Sequence, residues 1–337
     1  MSARTRVAVI GGGQNSEHEI SLASAAAVAD ALDPTTYEAV RLTIARDGSW
    51  HFKGHDEGYD VIGLSGAVRV LESCDAAIPM LHGPHGEDGT GAALCDLVGV
   101  PYVGSGVGAG ALAMDKWATK LVARELGIRV AADVLLTSAT ASSYDFTHPV
   151  VVKPVAAGSS HGVSLVREAS ELEPALDVAF ALDDRVLVED VVVGREIDLA
   201  VLGRPDGERV VAPALEVVGD GIFTTEAKYD GGADFRIPAP LTGVELGTLE
   251  GAAVAMYDAL GCSGVARIDF FLGDGGPVLN EVNTMPGFTA QSQVPQMFAA
   301  ADVSYSDLLD VLVRDAVVGF GTWRPDPSSC RQRETTP

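Results

Sequence analysis

The sequence predicts a mixed α/β chain, with an N-terminal open α/β layer followed by two α+β blocks. Three observations carry this prediction. Apolar strand-like runs alternate with helix-like runs over the first hundred residues, the pattern of an open sheet covered by helices. A lysine-ended strand, a small-residue loop and a further strand occupy the middle of the chain, and the last third is strand-rich and closes on two helices. The length of 337 residues suits two or three domains. A hydrophobic fraction of 47% is enough to build real cores, so general disorder is excluded.

The first strand covers residues 6–10 and runs into Gly11-Gly12-Gly13. An alanine-rich helix over 19–32 follows, with Asn15 or Ser16 as its cap. Strands are expected near 38–45 and 75–80, the latter leading into the polar loop His82-Gly-Pro-His-Gly-Glu-Asp-Gly-Thr90. Loops at the carboxyl ends of strands are where open α/β sheets bind ligands. The second block begins after Gly104-Ser-Gly106. It contains a helix that includes Met114-Asp-Lys116, a strand over 148–153, the loop 156–162 and a strand over 163–166. A helix near 171–182 and a strand over 185–189 complete it. The third block has strands over 196–202, 210–217 and 265–272, a loop over 219–234 and a long helix around 243–260. Helices near 293–301 and 304–317 end the fold, and the Pro/Ser/Arg-rich tail is expected to be disordered. The expected domains are therefore 1–104, 105–189 and 190–320, with a disordered tail over 321–337.

Charge and cysteine usage narrow the function classes. The net charge is −24, from 23 basic and 47 acidic side chains. That argues against non-specific nucleic-acid binding and against an anionic membrane surface as partner. Only five of the basic residues are lysines, namely Lys53, Lys116, Lys120, Lys153 and Lys228. Cys74, Cys95, Cys262 and Cys330 lie far apart with no C-x-x-C pair, which fits free thiols in a reducing cytoplasm. The apolar run at 7–10 is too short for a signal-peptide core, and no 18-residue apolar run predicts a membrane-spanning helix.

Several motifs are incomplete or missing. Gly11-Gly-Gly-Gln-Asn-Ser16 lacks the last glycine of a dinucleotide fingerprint, and no Gly-Lys pair exists for a Walker A loop. His82 and His85 stand in a Gly/Pro loop without further ligand partners and read as loop hydrogen bonding or substrate lining.

The residues over 265–283 read as a β-hairpin around a Gly/Asp turn. With the register centred on Gly275, Asp269 opposes Glu281 and Arg267 opposes Asn283, all on one face. Ile268, Phe270, Leu272, Val278 and Val282 take the other, core face. The polar face offers two carboxylates and an amide oxygen, the hard donors of a Mg²⁺ site. The alternative is a solvated face with an Arg–carboxylate pair. Gly287, after Thr284-Met-Pro286, lets backbone N–H groups approach a ligand. Lys153-Pro-Val-Ala-Ala-Gly-Ser-Ser-His-Gly162 is either a phosphate-cradling lid or a plain surface loop. The polar loop 224–234 is compatible with a flap. Spacing alone favours helix-dipole stabilisation for Glu17 over pairing with a substrate ammonium.

Together these motifs resemble the D-alanine–D-alanine ligases of the ATP-grasp superfamily. The resemblance rests on Ser16-Glu-His-Glu-Ile-Ser21, residues 82–90, Tyr102-Val-Gly-Ser-Gly106, Met114-Asp-Lys116, Val152-Lys-Pro154 and Gly158-Ser-Ser160. It continues with Glu226-Ala-Lys-Tyr229, Ala266-Arg-Ile-Asp269 and Asn280-Glu-Val-Asn-Thr-Met-Pro-Gly-Phe-Thr289, in family order over about residues 5–318. It implies an ATP-grasp fold with ATP clamped between the second and third domains. By resemblance Lys116, Lys153 and Lys228 contact ATP phosphates, Ser160 belongs to the phosphate loop, and Glu189 and Glu196 lie near adenine and ribose. Asp269, Glu281 and Asn283 match Mg²⁺ ligands, with Mn²⁺ as an alternative metal. Arg267 and the Gly287 N–H match an oxyanion-stabilising pair. Glu17 matches the anchor of the first substrate's ammonium, Ser159 and Tyr229 its partners, and Ser292 the hydroxyl that receives the second substrate's carboxylate.

The implied reaction joins two D-alanines through D-alanyl phosphate, giving D-alanyl-D-alanine, ADP and phosphate for peptidoglycan precursors. The implied setting is a cytoplasmic homodimer. The chain departs from the family pattern at Gly91-Ala-Ala93, at Ala157 and at Gln293, where an apolar residue is common. Tyr229 favours an amine nucleophile. The alternative is a related ligase that takes D-lactate, D-serine or a specialised-pathway precursor second.

Overall fold

The computed structural model describes residues 4–53, 59–219 and 234–323, arranged around three sheets. The first sheet contains β1 (Thr5–Gly12), β2 (Tyr37–Ile44), β3 (Trp50–Lys53), β4 (Tyr59–Val61) and β5 (Ala76–Pro79), in the order β4-β3-β2-β1-β5. β1 runs parallel to β2 and β5, and β3 and β4 extend the edge antiparallel. Val7 to Ile10 are buried on both faces of β1, so the strand reads as a continuous apolar run. α1 (His18–Ala31), α2 (Gly63–Glu72) and α3 (Thr90–Val98) pack around it. β3 and β4 add to the elements expected from sequence, because strands of three or four residues are too short to show a period of two, and the helices α2 and α3 were not expected either.

The cap of α1 differs from expectation. Glu17, not Asn15 or Ser16, occupies the N-cap position, without a side-chain capping bond. Asn15 instead accepts a bond from the Glu17 N–H at 2.9 Å and donates to the carbonyls of His82 and Pro84 at 2.9 and 2.8 Å. The polar loop is thereby tied to the start of the helix.

α4 (Val107–Met114) and α5 (Lys116–Glu125) come next. The single helix expected through Met114-Asp-Lys116 is broken at Asp115, which is extended and accepts from the Ala118 N–H at 2.9 Å. An Asp able to cap its own new helix competes with continuing the old one. The break makes Lys116 the first residue of α5. The second sheet contains β6 (Asp133–Thr137), β7 (Val150–Pro154), β8 (Ser164–Val166) and β9 (Arg185–Asp190), in the antiparallel order β6-β9-β7-β8. α6 (Ala169–Phe180) covers it around a small core that includes Leu136, Val152, Ala179 and Val186.

The third sheet runs β13-β12-β10-β14-β15, with β11 also on β10, and is antiparallel throughout. Its strands are β10 (Arg195–Gly203), β11 (Arg209–Val211), β12 (Leu215–Val218), β13 (Asp234–Arg236), β14 (Gly264–Gly273) and β15 (Gly276–Asn283). The strand expected over 210–217 is two strands, split where Pro213 has no N–H for the ladder. α7 (Gly243–Leu260) opens on a capping box of Thr242 and Glu245 and buries Leu249, Ala253, Met256, Tyr257 and Leu260. α4 and α5 add Ala109, Ala113 and Ala123 to the same core.

α8 (Gln293–Ala299) and α9 (Tyr305–Trp323) close the described chain. α9 continues past residue 317 and past 321, where the disordered tail was expected to begin; the tail beyond 323 lies outside the described residues. The core around Leu308, Leu309, Leu312 and Val313 of α9 joins Val7, Val9 and Ile78 of the first sheet to Ala200, Leu202 and Val265 of the third. The first and third sheets are thus held as one packed body beside the cleft.

Candidate active site

The hairpin of β14 and β15 forms the floor of the cleft. Arg267 pairs with Asn283 and Asp269 with Glu281, as the alternation predicts. The tip is tighter than expected, because Gly273 pairs directly with Gly276 across a two-residue turn. A register shift after Asp269, taken up at Asn280, reconciles that turn with the predicted pairing. The same shift corrects one side-chain assignment. Leu279 pairs with Phe270 and joins the core, whereas Val278 pairs with Phe271 and lines the cleft.

Arg267 is the electrostatic centre of this face. Its guanidinium donates to both Asp269 oxygens, at 2.7 and 2.6 Å, and lies 3.7 Å from Asp198 Oδ2. It also donates to Gln293 Oε1, and Gln293 Nε2 donates to Asp198 Oδ2 at 2.7 Å. Burial opposes the charge on Arg267. Asp269, Asp198 and Glu281 outweigh burial and hold its protonation well above the ordinary range. Asp198, on β10 directly opposite Asp269, was not singled out from sequence. Alternation from Glu196 would have placed it on this face.

Two connected lobes make up the cleft. The larger, of about 540 Å³, is lined by Lys153, Ser160, Glu189, Glu196, Phe271 and Val278 among others. The smaller, of about 230 Å³, is lined by Glu17, Ser159, Arg267, Asn283, Gly287 and Ser292 among others. Lys116, Ala157, Glu196 and Glu281 border both. Lys116 Nζ donates to the Ala157 carbonyl at 2.8 Å and lies 3.8 Å from Glu281 Oε2. Burial pulls the Lys116 ammonium below its usual range against the pull of Glu281. Lys153 Nζ pairs with Glu189 Oε2 at 2.8 Å. Glu189 is therefore seated among buried cations. Gly158-Ser-Ser-His-Gly162 also spells G-x-S-x-G. It joins strand β7 to strand β8, though, and not a strand to a helix as a hydrolase nucleophile requires.

The inner end of the smaller lobe is acidic. Glu17 is buried, and the Ser159 hydroxyl donates to its Oε1. Glu17 thus combines its place at the N-terminus of α1, which the helix-dipole reading expects, with a contact across the cleft to Ser159. A Cβ at Gly83 or Gly158 would come within 2.5 or 2.8 Å of Glu17 Oε2, so both glycines make room for this carboxylate. Ser159 and Ser160 hold positive φ of 49° and 58°, a conformation that needs support from such contacts. Burial raises the Glu17 carboxyl.

Glu87, from the polar loop, was not singled out from sequence. It accepts from the Gly83 N–H at 2.9 Å, and burial together with the Glu17 charge pushes it up to about 8. His82 is buried with Nδ1 3.0 Å from the Met285 carbonyl and Nε2 2.9 Å from Ser24 Oγ, and burial lowers it to about 4. A neutral His82 thus pins the segment that carries Gly287. Ser24 Oγ also accepts from the Phe288 N–H at 3.3 Å. Ser292 Oγ accepts from the Thr289 N–H at 3.0 Å and lies where a Cβ on Gly287 would meet it at 3.3 Å.

Of the sequence-predicted site residues, Lys228 and Tyr229 lie outside the described residues. The others line this cleft except Asp269, which is buried behind it with its oxygens held by Arg267 and Asn283. Among the described residues, no three His, Cys, Asp or Glu side chains converge as a metal cluster. Asp269, Glu281 and Asn283 form a smaller set of hard oxygen donors. Asn283 Nδ2 is engaged with Asp269 Oδ2 at 2.9 Å, which leaves the amide oxygen as its donor. With Glu87 protonated, Glu17, Glu196 and Glu281 still outnumber Lys116 and Arg267 in the smaller lobe, so a divalent cation suits the charge balance there.

Comparison with known proteins identifies similar chains. Residues 6–105 match the family model of the D-ala D-ala ligase N-terminus, and residues 125–314 match that of the D-ala D-ala ligase C-terminus. A D-alanine--D-alanine ligase of Corynebacterium aurimucosum is 40% identical, over 93% of this chain and 97% of that protein. One of Mycolicibacterium vanbaalenii is 40% identical, over 94% and 98%. Among solved structures, the VanG D-Ala:D-Ser ligase of Enterococcus faecalis has a TM-score of 0.81 and 33% identity, covering 93% of this chain and all of that one. The D-alanine--D-alanine ligase of Bacillus anthracis complexed with ATP has a TM-score of 0.76 and 27% identity, covering 94% and 99%.

Proposed function

The chain belongs to the D-alanine–D-alanine ligase family and has the ATP-grasp fold, and on that footing we propose that it joins two D-alanines using ATP. The product is D-alanyl-D-alanine for peptidoglycan precursors. The observation that carries this reading is the two-lobed cleft. A lysine-bordered lobe of about 540 Å³ suits a nucleotide and opens onto an acidic lobe suited to ammonium groups.

The larger lobe receives ATP, with Lys116 and Lys153 facing its phosphates and Ser160 in the covering loop. Glu189 and Glu196 lie on the nucleoside side, and Lys228 belongs to the flap. Asp269, Glu281 and Asn283 would hold Mg²⁺ or Mn²⁺, which would neutralise charge on the phosphoryl oxygens. Glu17, braced by Ser159, holds the ammonium of the first D-alanine. That substrate's carboxylate attacks the γ-phosphorus; the bond to ADP breaks and D-alanyl phosphate forms. Arg267 and the Gly287 N–H face the carbonyl oxygen of the acyl phosphate. The amine of the second D-alanine, placed by Ser292, attacks that carbon and loses its proton to the Glu17–Ser159–Tyr229 network. Arg267 and Gly287 stabilise the oxyanion, and phosphate leaves.

Three domains, bounded near 104 and 189 with the tail from 321 shortened by α9, suit the three sheets. A cytoplasmic homodimer without nucleic-acid or membrane partners completes the proposal. Its support is the family and the three described cysteines, which are all free thiols. No described helix is long and apolar enough to cross a membrane. The test is a substrate panel of D-alanine, D-serine and D-lactate with ATP and Mg²⁺, read by ADP release and product mass. D-Alanyl-D-alanine as the main product is expected. A preference for D-serine or D-lactate in the second position would overturn the substrate assignment.

A further inference from the structure

Lys120 stands apart from the lysines that motif matching assigns. It is 2% exposed, deeper than any other lysine among the described residues, and does not line either lobe. Its Nζ lies 2.6 Å from Glu189 Oε1 and 2.9 Å from Asp133 Oδ2, and donates to the Ala131 carbonyl at 3.2 Å. Glu189 gives its other oxygen to Lys153 at 2.8 Å. One buried carboxylate therefore holds two ammonium groups, one facing the cleft and one behind it. Arg124 also holds Asp133, so Asp133 does not depend on Lys120 alone.

We propose that Lys120 is a positioning residue that keeps Glu189 charged and seated while Lys153 leaves it for the phosphates of ATP. The proposal rests on the reading of the larger lobe as an ATP site. A triphosphate in that lobe competes with Glu189 for Lys153. If Lys153 were the sole partner, its departure would strand a buried carboxylate, which is strongly unfavourable unless the group takes up a proton. With Lys120 behind it, Glu189 remains compensated and Lys153 can exchange partners. The charged groups around Glu189 are Lys116, Lys120 and Arg124 of α5, Asp133 of β6 and Lys153 of β7. Burial alone would raise the Glu189 carboxyl, and Lys153 and Lys120 together hold it below the usual range. Tight coupling between Glu189 and two lysines on opposite sides thus makes Lys120 part of the nucleotide site without any contact to the nucleotide.

Calorimetric titration of the full chain with ATP, without D-alanine and in buffers of different ionisation enthalpy, tests this. Lys120→Met is expected to weaken ATP binding about tenfold or more, and to take up close to one proton more per ATP at pH 7.5 than the wild type. Lys120→Arg is expected to restore wild-type proton stoichiometry, and Lys120→Met/Glu189→Gln to abolish the extra uptake. Wild-type affinity and stoichiometry in Lys120→Met would overturn the proposal, as would weaker binding without extra proton uptake, which marks a purely structural role. Should Lys120→Met not fold, the wild-type ATP complex decides. Lys153 is expected on phosphate with Lys120 still on Glu189, and a complex with Lys153 still paired to Glu189 overturns the idea. Failure of the wild type to bind ATP would instead sink the ATP-site reading itself.

Discussion

Gln293→Leu isolates one hydrogen-bonded bridge at the floor of the cleft. The Gln293 amide bridges the partly buried Arg267 and the buried Asp198, accepting from the first and donating to the second at 2.7 Å. Each hydrogen bond to a charged group is worth roughly 1.5–3 kcal/mol, and a leucine of similar size recovers part of the loss through burial. Arg267 keeps its two bonds to Asp269, at 2.7 and 2.6 Å, so the guanidinium is loosened on one side only. The net cost is about 2 kcal/mol of stability, a fall in Tm of a few degrees for a chain of this size. If the bridge also aims Arg267 at the oxyanion, a share of about 1.4 kcal/mol in the transition state lowers kcat tenfold. Coupled ADP-release kinetics and a thermal melt measure both effects, with KM for ATP expected to stay unchanged. Asp198→Val with Gln293→Leu should cost less than the sum of the singles by about 1 kcal/mol or more, because the two side chains share one bond. Unchanged kcat and Tm in Gln293→Leu, or strict additivity in the double variant, would refute the bridge as a working contact.

Other outcomes follow from the same geometry. Glu281→Gln is expected to lower kcat more than about a hundredfold by removing charge from the metal donors; near wild-type turnover would sink the metal assignment. Ser159→Ala removes the brace on Glu17 and should raise KM for D-alanine about tenfold while KM for ATP holds; an equal rise in both would contradict the placement. Glu87 keeps its proton to about pH 8 in the folded chain but loses it near the ordinary 4.5 once unfolded. Unfolding therefore releases a proton between those values, and stability from this group falls as pH rises through that window. Glu87→Gln should flatten that slope, its Tm gaining on the wild type from pH 5 to pH 8; parallel Tm curves would count against a raised carboxyl.

Much of the fold and part of the site were legible because they rest on local periodicity. Alternation along residues 265–283 placed Arg267, Asp269, Glu281 and Asn283 on one face, and the pairing follows that register. Val278 was misassigned because a bulge is decided by how turn and ladder compete, and no pattern in the strand announces it. Asp115 broke a helix that composition would continue, through a cap that forms only in the folded backbone.

The sequence by itself determined the α/β class, the order of the elements and the family, because periodicity and motif order are written along the chain. It also marked lysine as scarce in an acidic protein, and three of the five lysines, Lys116, Lys120 and Lys153, converge beside the cleft. Only the tertiary structure decided that Glu17 turns inward to Ser159 across 142 residues, that Glu87 faces it, and that Lys120 stands behind Glu189. Charges separated that far in sequence acquire a shared energy only when burial removes the water between them. That is why their partners and protonation states are properties of the fold and not of the motifs.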